Sequence, residues 1–310
     1  MRALYVMDPL SSLNLGGDST FMLMKESTTR GWDVAWCTPG DLYAQDGRAH
    51  ARAQRVATTP AGFATGEWGD GPLDDYDLVW MRKDPPFDME YIFATYLLDM
   101  TRALVLNRPS AIRSLNEKLY AFLYRDLQPP TLVARDMNRL AAFAREHDRV
   151  VLKPWDGNGG RGVLVTSGTD PNLRAMLELL TGEGRRAILA QRYVPEIVKG
   201  DKRVILVDGE PVGAMLRVPS GADHRGNMHV GATVHATTLD DADRRICDSI
   251  GPRLVAEGLV FVGIDVIGGY LTEINVTSPT GIQEINRLDG VRIEAMVLDA
   301  AVRRLAEARA

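Results

Sequence analysis

The sequence predicts an α/β protein of two lobes, the first a parallel sheet with covering helices and the second richer in antiparallel hairpins. Three observations predict it. Over the first third, short apolar runs alternate with helix-patterned stretches. From residue 150 onward, β-type runs come in pairs, two of them joined across Asp208-Gly209 and Gly268-Gly269. The length, 310 residues, corresponds at about 150 per domain to two domains or one large one split into lobes.

Taken in order, Ala3–Met7 is an apolar run closed by Asp8-Pro9, and Asp18 is placed to cap a helix running to Gly31. Asp33–Cys37 reads as a second strand and Leu78–Met81 as a third; Asp88–Arg102 is helical in pattern, and Ala103–Leu106 is a fourth strand ending at Asn107-Arg108-Pro109. Ligands of such sheets lie beyond the carboxyl ends of the strands, where Asp8 and Arg82 fall. The lobes divide near 109–130. There Ser114-Leu115-Asn116-Glu117 has the form of a capping box opening a helix to about Asp126, with Glu117 read as its cap residue and Gln128-Pro129-Pro130 as its end. Three hairpins follow: Val150–Pro154 with Val163–Thr166, Val204–Val207 with Val212–Arg217, and Phe261–Val266 with Leu271–Val276. Helical stretches near 136–147, 170–182, 239–257 and 290–309 cover them.

Composition narrows the function classes. Hydrophobic residues at 45% and charged ones at 25% exclude disordered and fibrous chains. Thirty-six basic against 41 acidic residues give a net charge of −5 and no basic nucleic-acid platform. No apolar run reaches the length needed to span a bilayer, since Leu259–Leu271 contains Asp265, and the N-terminus meets Asp8 before a signal-peptide core forms. Two distant cysteines, Cys37 and Cys247, lack metal spacing and fit a reducing interior, so a cytoplasmic protein is expected. His50, His147, His224, His229 and His235 show no ligand spacing, and no G-x-S-x-G is present.

Four segments carry candidate chemistry. In Val151–Val163 the residues Gly157, Gly159, Gly160 and Gly162 match G-x-G-x-x-G, but they run into a strand rather than a helix, and Val163-Leu164 replaces the Lys-Ser/Thr of a Walker A loop. What remains is a glycine loop between strands, able to fold backbone N–H groups over phosphates with Lys153 as a point charge. In the last hairpin, Glu273 and Asn275 share one strand face. A two-residue Gly268-Gly269 turn sends Asp265 to the opposite face, whereas a three-residue loop adds it to an oxygen-only set suited to Mg²⁺. The alternative is a half-buried strand with its polar side in water. Arg203, Arg217 and Arg225 would neutralise a transferring phosphoryl group, with Arg225 and Asn227 in the irregular stretch Pro219–Gly231. Lys199 and Lys202 read as a solvated face. Arg82, at a strand end before Pro85-Pro86, suits a carboxylate clamp.

The segments MDP (7–9), DLY (41–43), MRKDPPFD (81–88), NEKL (116–119), LKPWDGNGG (152–160), GDKRV (200–204), RGN (225–227), FVGID (261–265) and LTEINVTSPTGI (271–282) run in order over nearly the whole chain. Together they resemble the prokaryotic glutathione synthetases, a family of ATP-grasp ligases. The resemblance implies an N-terminal α/β substrate-side domain at 1–117 and an ATP-grasp domain at 118–310, with a lid subdomain at about 128–193 and a catalytic lobe at about 194–310. It implies ligation of γ-glutamylcysteine and glycine with ATP through an acyl phosphate. Lys118, Lys153, Gly157, Gly159, Gly160 and Gly162 would then bind phosphates, Gln191, Tyr193 and Val194 would meet adenine, and Asp201 would lie near the nucleotide. Asp265, Glu273 and Asn275 would hold Mg²⁺ (or Mn²⁺). Arg203, Arg217 and Arg225 would act on the transferring phosphate. Arg82, Asn227, Val276, Thr277, Ser278 and Pro279, with Asp18 and Ser19, would hold substrates. A cytoplasmic homotetramer without nucleic-acid or membrane partners is implied as well. Trp155, Asn158 and Arg192 depart from the family pattern. Rival readings are a ligase with another acceptor such as β-alanine, a non-catalytic ATP-binding regulator and, third, a dinucleotide oxidoreductase, which the strand after Gly162 opposes.

Overall fold

The computed structural model describes residues 1–157, 159–219 and 231–310. The first sheet is built from β1 (Arg2–Val6), β2 (Asp33–Cys37), β3 (Leu42–Gln45), β4 (Arg48–Thr59), β5 (Gly62–Pro72), β6 (Leu78–Met81) and β7 (Leu104–Leu106), with α1 (Ser19–Thr29), α2 (Met89–Leu98) and α3 (Pro109–Ser114). Its strand order is β3-β4-β2-β1-β6-β7, with β5 on β4. The β2-β1-β6-β7 part is parallel, as the alternation of strand and helix requires. Asp18 caps α1 as its position predicts, accepting from the Phe21 N–H at 2.7 Å.

Residues 42–72, to which the sequence pattern assigns no element, form three antiparallel strands. The inward positions of β4 are Ala49, Ala51, Ala53 and Val56. They alternate from Ala49 to Ala53 and shift by one at an irregularity between Gln54 and Val56, and alanine is too weakly apolar to advertise the pattern.

A second correction concerns 114–126. A short helix ends at Ser114, where one was expected to open, and 3-10 turns at Tyr120–Leu123 and Arg125–Leu127 stand in place of the expected helix to about Asp126. Ser114 Oγ donates backward to the Ser110 carbonyl at 2.7 Å, while Asn116 Oδ1 accepts from the N–H groups of Lys118 and Leu119 at 3.1 and 3.0 Å. Asn116, not Ser114, caps the turn, and Glu117 is no cap residue: its carboxylate accepts from Thr277 Oγ1 at 2.7 Å.

The second sheet, ordered β10-β9-β11-β8, comprises β8 (Thr131–Ala134), β9 (Arg149–Pro154), β10 (Leu164–Ser167) and β11 (Ile188–Arg192), with α4 (Met137–Glu146) and α5 (Leu173–Thr181). Leu140, Ala144, Leu173 and Leu177 of the helices pack on Val150, Leu152, Ile188 and Ala190. Period-2 alternation therefore turns Val151, Lys153 and Gln191 to the other face.

The third sheet, ordered β14-β13-β12-β15-β16, comprises β12 (Asp201–Val207), β13 (Glu210–Val218), β14 (Thr233–Ala236), β15 (Phe261–Ile267) and β16 (Tyr270–Asn275), with α6 (Asp241–Glu257), α7 (Ile282–Asp289) and α8 (Ile293–Arg309). β12 serves two cores. Ile205 and Val207 join α7, α8 and the first sheet, whereas Val204 and Leu206 join α6. Lys202, expected in solvent, is tied to Asp240 and Asp243 at the start of α6. Both cysteines are buried and unpaired. Among the described residues no helix is long and apolar enough to cross a membrane.

Candidate active-site cleft

The uncovered face of the second sheet looks across a cleft of about 1390 Å³ at one end of the third. Lys118, Lys153, Gln191, Tyr193, Val194, Asp201, Arg203, Arg217, Asp265, Glu273 and Asn275 all line it, as do Gly157, Gly159, Gly160 and Gly162. Residues spread over 150 positions are thus gathered by two sheets. Arg225 and Asn227 lie outside the described residues, as does Asn158.

The β15–β16 hairpin decides how the carboxylates meet. Its turn is the two-residue Gly268-Gly269, both left-handed (φ +57° and +78°), with Ile267 opposite Tyr270. A regular ladder would then pair Asp265 with Thr272. Instead a bulge at Thr272 places Asp265 opposite Glu273, and Thr272 Oγ1 donates to the Asp265 carbonyl at 3.1 Å. The bulge reconciles Leu271, fully buried, with Glu273, which faces the cleft.

Asp265 is nearly enclosed. It accepts from Arg203 Nε at 2.5 Å and Nη2 at 3.0 Å, and Arg217 Nη2 lies 2.8 Å away. Burial raises its pKa, but the two guanidinium groups outweigh that and hold the carboxyl well below the usual carboxylate range. Arg217 Nη2 also donates to Asp201 Oδ2 at 2.6 Å, while Asp201 Oδ1 is buried and, among the described residues, finds no hydrogen-bond partner. Burial, opposed by Arg217 and reinforced by the charge of Asp265, pushes Asp201 up to about 6.

Both lysines line the cleft. Lys153 Nζ donates to Gln191 Oε1 at 3.0 Å, and burial lowers its pKa. Lys118 Nζ donates to the Gly157 carbonyl and lies 3.5 Å from Glu273 Oε1. Gly159, Gly160 and Gly162 are left-handed at φ +60°, +76° and +70°, and a Cβ on Gly162 would stand 2.9 Å from Pro154 Cγ. The glycines are therefore required by backbone shape and by a close approach.

Among the described residues no three His, Cys, Asp or Glu side chains cluster as a metal site. The set that does converge is two carboxylates and one amide, all oxygen donors, which suits a hard divalent cation such as Mg²⁺. The donors fit, on condition that Asp265 is shared with its arginines.

The expected substrate residues divide. Thr277, Ser278 and Pro279 line the cleft. Val276 is buried, its carbonyl accepting from Asn107 Nδ2 at 2.8 Å. Arg82 is buried beneath that loop, donating to Thr20 Oγ1 at 3.1 Å and to the Pro279 carbonyl at 3.0 Å. It positions the loop rather than lining the cleft. Asp18 and Ser19 stand at the start of α1 against α7, where Ile282 N–H donates to Ser19 Oγ at 3.3 Å. Arg192 lines the cleft and donates to Tyr270 OH at 3.0 Å, bracing β11 against the β15–β16 turn.

Sequence reasoning missed Glu117 and Asn107. Asn107 makes four bonds of 2.8–2.9 Å to the backbone of Val260, Phe261 and Val276, fixing the first sheet to the third. Its place at a strand end before Arg-Pro was the available signal.

Comparison with known proteins follows the same division. The family described as prokaryotic glutathione synthetase, N-terminal domain, matches residues 1–113, and prokaryotic glutathione synthetase, ATP-grasp domain, matches residues 117–290. The chain is 47% identical over 310 residues to a glutathione synthetase of Gloeobacter violaceus, covering 96% of each chain. It is 46% identical over 301 residues to one of Prochlorococcus marinus, covering 96% of this chain and 97% of that one. Two solved structures share the fold at low identity. D-cycloserine synthetase DcsG has a TM-score of 0.67 at 16% identity, over 98% of this chain and 99% of that one. A RimK domain ATP-grasp protein of Sphaerobacter thermophilus has a TM-score of 0.63 at 19% identity, over 97% and 99%.

Proposed function

The chain belongs to the prokaryotic glutathione synthetase family, and from that premise we infer that it ligates γ-glutamylcysteine to glycine with ATP, giving glutathione, ADP and phosphate. The observation that supports the chemistry is the gathering of Lys118, Lys153, Arg203, Arg217, Asp265, Glu273 and Asn275 in one cleft.

A carboxylate is a poor electrophile, so the first step is attack of a cysteinyl carboxylate oxygen on the ATP γ-phosphorus. The bond to the β-phosphate oxygen breaks and ADP leaves. The glycine amine then attacks the acyl phosphate carbonyl, phosphate departs with its bonding pair, and the amine proton passes to solvent. Protein work here is positioning and charge neutralisation. Lys118, Lys153 and the N–H groups around Gly157–Gly162 hold the phosphates. Gln191, Tyr193 and Val194 edge the base, with Asp201 nearby. Arg203 and Arg217, with Arg225, neutralise the transferring phosphoryl group, and Thr277, Ser278 and Pro279 hold the peptide end. Asp265, Glu273 and Asn275 would carry Mg²⁺ (or Mn²⁺), which would supply positive charge to the phosphate oxygens.

The domain reading completes the proposal: residues 1–117 form the substrate side, 128–193 a lid and 194–310 the catalytic lobe. We also take the protein to be cytoplasmic and a homotetramer. Along α2 and the turn that follows it, Met89, Phe93, Tyr96 and Met100 stand exposed at helical spacing, which favours burial against a second copy. Light scattering at the mass of four chains is the expected result; a single-chain mass would refute it.

The test of function is ADP release with ATP, Mg²⁺, γ-glutamylcysteine and glycine, omitting each in turn and weighing the products. Release requiring all four, with a tripeptide formed, is expected. Preference for β-alanine over glycine would reassign the acceptor, and ATP binding without turnover would overturn the ligase reading.

A further inference from the structure

The turn between α3 and the first 3-10 turn has a second side chain engaged with the glycine loop, besides Lys118. Asn116 Oδ1 caps the turn through Lys118 and Leu119 N–H, and its Nδ2 donates at 3.0 Å to the Trp155 carbonyl, where the loop begins. Lys118 Nζ reaches the carbonyl of Gly157, two residues on. The turn itself is anchored from the opposite side. The Glu117 carbonyl accepts from Ile274 N–H at 3.0 Å and its carboxylate from Thr277 Oγ1 at 2.7 Å. One short segment thus joins the glycine loop to β16 and to the loop Thr277–Pro279.

We propose that Asn116 is a positioning residue for nucleotide binding: its amide N–H group fixes the entrance of the glycine loop to the turn that carries Lys118. The inference rests on the cleft being the ATP site. Its physical content is registration. The loop's backbone N–H groups and the Lys118 ammonium must address the same phosphates, and they belong to segments some forty residues apart. Asn116 is the side chain whose donor end holds one segment while its acceptor end shapes the other. A loop detached at Trp155 samples positions in which its N–H groups and Lys118 no longer converge, so binding weakens while bound nucleotide still reacts.

The two ends of Asn116 can be separated by mutation. Asn116→Asp keeps the oxygen that caps Lys118 and Leu119 but loses the donor to Trp155 and sets a carboxylate against that carbonyl. Asn116→Ala removes both. The measurement is the ATP dissociation constant, followed by Trp fluorescence, with KM and kcat for ATP and thermal unfolding of all three proteins. The proposal expects both variants to weaken ATP binding and raise KM about tenfold. It expects kcat at saturating ATP within about threefold of wild type, and Asn116→Asp to unfold at the wild-type temperature. A merely structural cap predicts the opposite pattern, with Asn116→Asp binding ATP like wild type and only Asn116→Ala impaired; that result overturns the inference alone. Wild-type protein that fails to bind ATP overturns the reading of the cleft, and this inference with it.

Discussion

Asp265 neutralises two guanidinium groups at once, those of Arg203 and Arg217, and all three side chains are buried. Removing its charge leaves two cations without water or a full counter-charge. Asp265→Asn is expected to lose about 3–5 kcal/mol of stability in urea unfolding and to abolish ligation. Unchanged stability would show that the arginines re-pair elsewhere. Asp201 behaves in the opposite sense. Its pKa rises from an ordinary 3.8 to about 6, so the folded state holds its proton more tightly than the unfolded state. The corresponding stabilisation is full below about pH 4 and is lost as pH rises through about 6. Relative to Asp201→Asn, wild-type stability should therefore fall between pH 4 and 7; a flat difference would contradict the burial argument. Residue chemistry of this kind was legible in the sequence where a side chain sits in a motif, as Asp265 and Glu273 do. It was not legible for Glu117, whose partner Thr277 lies 160 positions away.

Elements were read where local pattern and tertiary demand agree. The parallel strands β1, β2 and β6 and the Asp18 cap follow from apolar runs and a polar stop. The hairpin β15–β16 shows how the agreement can be partial. Counting residues across the turn gives the wrong face for Asp265, because the ladder admits an extra residue at Thr272 to keep Leu271 in the core. Bulges answer to packing on both faces, which a turn rule cannot see. The capping box at Ser114-Glu117 failed for a related reason. Thr277 draws Glu117 into the cleft wall, and Asn116 takes over the cap. The glycine loop makes a firmer prediction. Alanine at Gly162 must hold φ near +70° and meet Pro154 Cγ at 2.9 Å. Gly162→Ala should cost at least about 1 kcal/mol and raise KM for ATP several-fold, with circular dichroism unchanged. A wild-type KM would mean that the loop relaxes without consequence for the phosphates.

Across the whole molecule, the first and third sheets are locked together, sharing a core that runs from Tyr5 and Trp80 through Phe261 to Val297. The second sheet keeps a small core of its own and faces the others over the cleft. Ligand bound between them should stabilise the fold as a whole. ATP with Mg²⁺ at a hundred times its dissociation constant should add about 2.7 kcal/mol, raising the unfolding temperature by a few degrees. The central claim is that the cleft brings the γ-phosphate onto the peptide carboxylate before the amine attacks. The most direct measurement uses γ-glutamylcysteine labelled with ¹⁸O in its cysteinyl carboxylate, with ATP, Mg²⁺ and glycine, and weighs the released phosphate. The mechanism predicts one ¹⁸O atom in each phosphate formed with glutathione. Glutathione formed with unlabelled phosphate would contradict it.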